Sequence, residues 1–125
     1  MPETTPTIEG FTAISYLFGV FKELKFGNIV LCILYRNPAP LAKMSATLQL
    51  LTGRRFILGI GIGWKEDEFL AYGYEFPPAK FRIRRLEEGV QIIRRMWTET
   101  RATFRGRYYR IEEAMLPPSQ SLYRP

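Results

Sequence analysis

The first third of the chain combines two apolar patterns, which predict a helix followed by a buried strand. Residues 8–25 carry apolar side chains at three- and four-residue steps, the spacing of one helix face. The positions on this face are Phe11, Ile14, Phe18 and Phe21, with Leu17 and Leu24 beside them. Gly27 is expected to end the helix. Residues 28–34 form a continuous apolar run rich in β-branched side chains, which predicts a parallel strand covered on both faces.

The next helix and strand have clear boundaries. Asn37 is predicted to cap a helix that begins at Pro38. The asparagine side chain accepts hydrogen bonds from the free N–H groups of the first turn. Proline suits the first helical position because it lacks the N–H group that would be unpaired there. Gly53 is predicted to cap the other end in a left-handed conformation. The expected inward face consists of Leu41, Met44, Leu48 and Leu51. A second apolar run at 55–63 predicts the second buried strand.

Two more helices and a hairpin are predicted after the second strand. The acids at 66–68 suit the first turn of a helix, where the helix dipole favours negative charge. A long helix follows the prolines at 77–78. Its expected inward residues are Ile83, Leu86, Val90, Ile93 and Trp97. Residues 103–109 alternate around Arg105 and Gly106, which predicts a small β-hairpin.

The alternation of strands and helices predicts an α/β fold with a parallel sheet, either part of a barrel or a doubly wound layer. Both strands need neighbours at both edges, which is more than this chain supplies. A closed (β/α)8 barrel takes roughly 250 residues, so a chain of 125 residues has room for about half of one. We therefore expect an excerpt of a larger fold or a protomer completed by a partner. The expected organisation is a flexible lead-in at 1–7, one partial domain at 8–116 and an irregular tail at 117–125.

The composition, 46% hydrophobic and 24% charged, is typical of a globular protein and excludes collagen-like and disordered classes. The net charge of +6 is spread along the chain, whereas a nucleic-acid binder gathers its cations on one stripe, so no nucleic-acid partner is expected. No apolar run reaches the roughly 20 residues of a membrane helix. The N-terminus lacks the positive charge of a secretory signal, so a cytoplasmic location is expected. With one cysteine and no histidine, neither a disulfide framework nor a Cys/His metal site is expected.

Three alternating glycines in the second strand are the first candidate for chemistry. Gly59, Gly61 and Gly63 leave one face of the strand without side chains, so something must approach it closely. Tight packing and a ligand lying on bare backbone explain them equally well. Dinucleotide and P-loop motifs are excluded, because Trp64 stands where G-x-G-x-x-G needs its third glycine and Lys65 is not followed by Ser or Thr.

Other reactive side chains have simpler structural explanations. The acids at 66–68 offer a general acid or base, but a helix start accounts for them. Cys32 lies in an apolar strand, where free cysteine behaves as a small hydrophobe, and the chain has no histidine to activate it. Trp64, Tyr72 and Tyr74 offer a stacking surface for a flat ligand, although scattered aromatic residues more often belong to the core.

In their joint order, several short segments resemble the luciferase-like monooxygenase family of flavin-dependent monooxygenases and deazaflavin (coenzyme F420)-dependent oxidoreductases. They include Tyr-Arg-Asn-Pro at 35–38 and the glycine-rich segment at 55–64. The others lie at 9–13, 26–32, 41–44, 66–68, 72–73, 85–88 and 103–109. The resemblance runs from about 9 to 116 and implies a (β/α)8 TIM barrel. The chain would then hold the third and fourth βα units, the helix before them and a hairpin after them.

The resemblance also implies a site for FMN or coenzyme F420 at the C-terminal face of the barrel. The matching strand ends supply the candidate cofactor-binding residues Cys32, Ile33, Leu34, Gly61, Ile62 and Gly63. Family members often hold a non-prolyl cis peptide at the end of the third strand, which is expected here near Cys32–Ile33. No catalytic residue is assigned, because the usual acid/base residues of the family lie on strands outside this chain.

Two functional hypotheses follow from these observations. In the first, the chain is a portion of a flavin- or F420-dependent oxidoreductase or monooxygenase that acts on a small organic substrate, and the chain alone is inactive. In the second, it is a truncated non-catalytic product or a half-barrel that self-associates as an interaction module. The tail after Pro118, which no longer resembles the family, agrees with a truncated product. A homo-oligomer is compatible with either hypothesis.

Overall fold

Helices and parallel strands alternate in the order expected from the sequence. The computed structural model describes residues 7–116, so the predicted tail at 117–125 and all of the lead-in except Thr7 lie outside the described residues. The elements are α1 (Gly10–Val20), β1 (Phe26–Gly27), β2 (Leu31–Cys32), a 3₁₀ helix (Ile33–Tyr35), α2 (Pro38–Thr52), β3 (Phe56–Ile57), β4 (Ile60–Gly61), α3 (Glu66–Ala71), α4 (Ala79–Thr98), β5 (Ala102–Arg105) and β6 (Arg110–Ala114). Within this range, no helix combines the length and apolarity needed to cross a membrane.

In place of two long strands, the structure has two pairs of short strands, and these pair in parallel as expected. β1 pairs with β3, with Phe26 opposite Phe56, and β2 pairs with β4, with Cys32 opposite Gly61. The predicted limits of 28–34 are wrong, because pairing already begins at Phe26 and ends at Cys32.

The chain leaves the strand at the 3₁₀ helix. Ile33 and Leu34 are 0% and 3% exposed there, and Ile33 packs against Gly89 of α4. A buried turn needs the same apolar side chains as a buried strand, which is why the apolar pattern extends the strand too far. The cis peptide lies at Ile29–Val30, so its expected position near Cys32–Ile33 is wrong.

The segment at 28–30 forms a bulge between β1 and β2 and explains two glycines of the neighbouring strand. A Cβ on Gly59 would overlap the backbone oxygen of Asn28, and a Cβ on Gly61 would collide with the side chain of Val30. The face that these glycines leave bare is thus filled by protein. Tight packing accounts for Gly59 and Gly61 without a ligand.

Helix α1 is shorter than the predicted helix at 8–25 and ends well before Gly27. Gly19 and Val20 at its end are weak helix formers, and Phe21 has an extended backbone. The buried residues of α1 are Phe11, Ile14 and Phe18, as predicted. Phe21 is 46% exposed because it lies beyond the end of the helix.

Glu9 caps α1 and connects it to Arg36. Its carboxylate accepts hydrogen bonds from the backbone N–H groups of Phe11 (3.1 Å) and Thr12 (2.6 Å) and from the guanidinium of Arg36. Partial burial by itself would raise the pKa of Glu9, but the hydrogen bonds outweigh burial and hold this pKa at about 2. The carboxylate is therefore ionised at neutral pH.

The Glu9 cap is expected to make stability depend on acidic pH. Because the pKa of Glu9 in the folded protein lies below its ordinary value of 4.5, the ionised carboxylate favours folding. This contribution is fully present above about pH 4.5 and is lost as the pH falls toward 2. The side chain is 48% exposed, so Glu9→Gln should cost less than about 1 kcal/mol at neutral pH and almost nothing near pH 2. Urea unfolding of both proteins across this range measures the difference, and a difference independent of pH would contradict the expectation.

The caps predicted for α2 and the acidic start predicted for α3 are confirmed. Asn37 accepts a hydrogen bond from the N–H group of Ala39 (3.0 Å). Gly53 ends α2 in the left-handed conformation, with φ 64°. The acids at 66–68 form the first turn of α3. Local sequence signals thus fix these helix ends.

The buried faces of α2 and α4 are rotated from the predicted ones. Met44 and Leu51 of α2 are 41% and 75% exposed, and Ile83 of α4 is 46% exposed. The buried residues of α2 include Leu41, Ala42, Ser45, Ala46 and Leu48. Those of α4 are Arg82, Gly89, Ile92, Ile93 and Met96. Small side chains permit close packing of the two helices, and the indole of Trp97 donates a hydrogen bond to the carbonyl of Ala42 between them (3.1 Å).

The predicted hairpin is confirmed, and it docks on α4 through Glu88. Strands β5 and β6 pair antiparallel and extend the hairpin beyond its predicted limits of 103–109. The carboxylate of Glu88 accepts hydrogen bonds from the backbone N–H groups of Arg107 (2.7 Å), Tyr108 (2.9 Å) and Tyr109 (3.1 Å). One side chain of α4 therefore satisfies the turn of the hairpin.

Candidate functional site

A cleft of about 510 Å³ lies beyond the carboxyl ends of β2 and β4, next to α3. Its lining residues are Ile29, Val30, Cys32, Tyr35, Ile62, Gly63, Trp64, Lys65, Glu68 and Phe69. Most of these side chains are apolar or aromatic. Proteins with parallel strands place their ligand sites at the carboxyl ends of those strands, so this cleft is the candidate site.

The structure brings part of the predicted cofactor-binding set into the cleft. Cys32, Ile62 and Gly63 line it. Gly61 pairs with Cys32 in the strand ladder but is not among the lining residues. The side chains of Ile33 and Leu34 point into the core instead. The role of all six residues in cofactor binding stays a prediction.

Gly63 shapes the floor of the cleft. Its φ of 76° is a backbone conformation that favours glycine. The ring of Phe69 and the thiol of Cys32 occupy the space that a Cβ would need. The carbonyl oxygen of Gly63 accepts a hydrogen bond from Nη1 of Arg82 (2.6 Å). Sequence reasoning missed Arg82, because an arginine on a helix is expected to face water.

Tyr35 and Glu68 form the polar part of the cleft. The hydroxyl of Tyr35 donates a hydrogen bond to Oε1 of Glu68 (3.1 Å) and links the 3₁₀ helix to α3. Burial, and then this hydrogen bond to a carboxylate, raise the pKa of Tyr35. The Tyr35 ring packs against Phe69 and Tyr74, with centroids 4.6 and 4.9 Å away. Sequence reasoning missed Tyr35 as a site residue, although its position just after the end of a predicted strand was an available signal.

Cys32 is a protonated thiol at neutral pH. Burial raises the pKa of Cys32 above its ordinary value. A thiol in this state is a poor nucleophile, which agrees with the interpretation of Cys32 as a small apolar residue. The described residues include no group of three or more His, Cys, Asp or Glu side chains able to hold a metal ion.

The three aromatic residues suggested for stacking occupy different places. Trp64 is 76% exposed and lines the cleft. Tyr74 packs on Tyr35 outside it. Tyr72 lines a second cleft of about 480 Å³, which adjoins the first at the bulge and includes Glu9. Of the three, Trp64 alone is placed to contact a ligand in the first cleft.

Sequence comparison relates the chain to proteins about three times its length. The family model for luciferase-like monooxygenases matches residues 1–125, so the expectation that the resemblance ends before the tail after Pro118 is wrong. An F420-dependent glucose-6-phosphate dehydrogenase of Amycolatopsis mediterranei is 38% identical over 96 residues, which are 76% of this chain and 29% of the relative. The pyrimidine monooxygenase RutA of Allorhizobium ampelinum is 30% identical over 121 residues, 94% of this chain and 32% of the relative.

Solved structures share the fold. An F420-dependent secondary alcohol dehydrogenase in complex with an F420-acetone adduct superimposes with a TM-score of 0.83 at 23% identity, covering 93% of this chain and 36% of the other. The oxygenating constituent of 3,6-diketocamphane monooxygenase, in complex with FMN, superimposes with a TM-score of 0.73 at 22% identity. This match covers 83% of this chain and 29% of the other. These neighbours are TIM-barrel enzymes, so the predicted partial barrel is confirmed over the doubly wound layer. The chain spans about a third of their length.

Proposed function

The chain belongs to the luciferase-like monooxygenase family, and from this premise we propose that its cleft binds the planar ring of FMN or coenzyme F420 as part of an oxidoreductase barrel. One observation carries the proposal. The strand-end residues Cys32, Ile62 and Gly63 meet at one cleft, at the end of the strands where barrel enzymes bind ligands. One relative and one structural neighbour named above are F420-dependent dehydrogenases, and the other neighbour is in complex with FMN, which supports the same class of ring.

The size and lining of the cleft fit such a ring. A volume of about 510 Å³ lies within the range of small-molecule sites. Ile62, Trp64 and Phe69 supply apolar and aromatic side chains to the lining, and Lys65 and Glu68 supply charged ones. A flat, largely apolar ring with a polar edge matches this combination.

The cofactor, when bound, would carry the redox chemistry by accepting or donating a hydride or by activating oxygen. The residues of this chain would hold and orient it. The raised pKa values of Tyr35 and Cys32 keep both groups protonated. The Tyr35 hydroxyl donates its proton to Glu68, so the Cys32 thiol is the neutral, weak donor that faces the cleft. Turnover of a small organic substrate requires the rest of the barrel, so we expect the chain alone to be inactive.

Nuclear magnetic resonance of the two tryptophan indoles tests the proposal. Trp64 lines the cleft, whereas Trp97 lies between α2 and α4 and donates to the carbonyl of Ala42. Titration with FMN, and separately with F420, should shift the indole N–H resonance of Trp64 in a saturable manner and leave that of Trp97 in place, because ring-current effects act over a short range.

Two variants assign and control this measurement. Trp64→Phe should remove the shifting resonance, and Trp97→Phe should remove the unshifted one. If neither ligand moves the Trp64 resonance, or if both indoles move equally, the proposed site is wrong.

A second function, self-association as an interaction module, is favoured by apolar exposure near the bulge. Ile29 is fully exposed, and Val30 and Ile57 are 55% and 61% exposed. Light scattering with Ile57→Asp as the surface variant distinguishes the two functions. A cofactor-independent dimer that this change disrupts supports the module. Homo-oligomerisation of the whole enzyme and a cytoplasmic location stay predictions.

A further inference from the structure

We infer that Arg82 orients the Gly63–Trp64 peptide so that the backbone N–H group of Trp64 donates a hydrogen bond to the polar edge of the ring bound in the cleft. The inference rests on the proposed function and adds a positioning residue and a specific donor atom to that site. Arg82 is not among the candidate residues from the sequence, and Trp64 is considered there only for stacking of its side chain.

Arg82 is held by backbone carbonyls rather than by a carboxylate. The residue is 9% exposed. Its Nε donates to the carbonyl of Pro77 (2.9 Å), its Nη1 donates to the carbonyl of Gly63 (2.6 Å), and its guanidinium lies 4.2 Å from the ring centroid of Phe76. No Asp or Glu between residues 7 and 116 forms an ion pair with it. Burying a charge without a counter-ion is costly, so these carbonyl contacts fix the position of the side chain.

The contact with Gly63 fixes the direction of the next peptide N–H group. In a planar trans peptide, the C=O and N–H groups point in opposite directions. The carbonyl of Gly63 points to Arg82 on α4, so the N–H group of Trp64 points away from α4. Gly63 and Trp64 both line the cleft, and Arg82 does not. We therefore infer that this N–H group faces the cleft.

The N–H group of Trp64 is available to a ligand. Among residues 7–116, no acceptor takes a hydrogen bond from it. Gly63 provides the backbone conformation, and Arg82 prevents the peptide from turning over. Flavins and deazaflavins both carry carbonyl oxygens at one edge of the ring, and such an in-plane acceptor suits a single backbone donor.

Amide resonances of the full chain test the assignment during FMN titration. In the unchanged protein, the amide proton of Trp64 should move downfield as FMN saturates the cleft. Arg82→Met should weaken FMN binding by about threefold to tenfold, the range for one lost hydrogen bond, and abolish the downfield shift. Arg84→Met changes an exposed arginine of the same helix and should leave the affinity within about twofold.

Arg82→Lys covers the case in which Arg82→Met does not fold. Lysine can reach the carbonyl of Gly63 but lacks the second fixed donor for Pro77, so this variant should show an intermediate affinity and retain the downfield shift. If Arg82 has only a structural role, Arg82→Met should lower stability, but the amide proton of Trp64 should still move downfield when FMN binds.

The remaining outcomes distinguish the donor assignment from the proposed function on which it rests. If FMN shifts the Trp64 indole but not its amide, or if folded Arg82→Met binds FMN as tightly as the unchanged chain, the donor assignment is overturned and the proposed function stands. If neither FMN nor F420 shifts any resonance of the cleft, the proposed function is overturned, and the donor assignment with it.

Discussion

Replacing Gly59 with alanine is expected to lower the free energy of unfolding by about 3 kcal/mol, a large loss for one methyl group. The added Cβ would overlap the backbone oxygen of Asn28, and a backbone atom has no alternative rotamer. The strands cannot simply move apart, because the N–H group of Leu31 donates to the carbonyl of Gly59 at 2.9 Å. Urea unfolding followed by circular dichroism measures the change.

Gly19→Ala provides the matched control, because a Cβ there meets nothing within 4 Å. Gly19 lies in α1, so alanine should stabilise the protein by up to about 1 kcal/mol through its higher helix propensity. The same chemical change is thus expected to act in opposite directions at the two positions. Equal stability of Gly59→Ala and the unchanged protein would refute the close approach of the bulge to the neighbouring strand.

Glu88→Ala is expected to release the hairpin from α4 at a cost of about 2 to 3 kcal/mol. The change removes the acceptor for three backbone N–H groups, and hydrogen bonds to a charged group contribute more than neutral ones. Water replaces part of the loss because the turn is partly exposed. Hydrogen exchange at the amides of Arg107, Tyr108 and Tyr109 should accelerate, and urea unfolding gives the total change.

Glu87→Ala is the control for this prediction, since Glu87 is the exposed neighbour on the same helix. Its effect should stay within about 0.5 kcal/mol, with the amides of the turn still protected. Glu88→Gln, which keeps a neutral acceptor, should fall between the two. Unchanged exchange at the turn in Glu88→Ala would show that the hairpin docks by other contacts.

Features with local causes were predictable from the sequence. Asn37 and Gly53 mark the ends of α2 because each satisfies backbone groups within its own turn. The apolar runs give parallel pairing because strands buried on both faces need that environment. The strand-end residues Cys32 and Gly63 reach the cleft for the same reason, since the ends of paired parallel strands lie side by side.

Features that depend on distant contacts were not predictable. The inward face of α4 begins at Arg82 rather than Ile83, because the arginine finds carbonyls in Pro77 and Gly63 that no periodicity reveals. Glu68 lines the cleft and accepts a hydrogen bond from Tyr35, which lies 33 positions earlier in the chain. Hydrophobic spacing indicates which residues avoid water, but it does not indicate which buried polar groups a side chain will contact.

The bulge at 28–30 also fixes the register of the paired strands. Parallel strands that slide past each other by two residues keep every side chain on its original face, so hydrophobic alternation alone does not forbid such a shift. A slide in one direction would bring the carbonyl of Asn28 against Ile57, which has a side chain where Gly59 has none. A slide in the other direction would bring the side chain of Val30 to Gly63, where the ring of Phe69 and the thiol of Cys32 already occupy the space. The register of the strands is therefore set by steric fit as well as by the hydrophobic pattern. The alignment of the two strand ends that frame the cleft is thus fixed before a ligand binds.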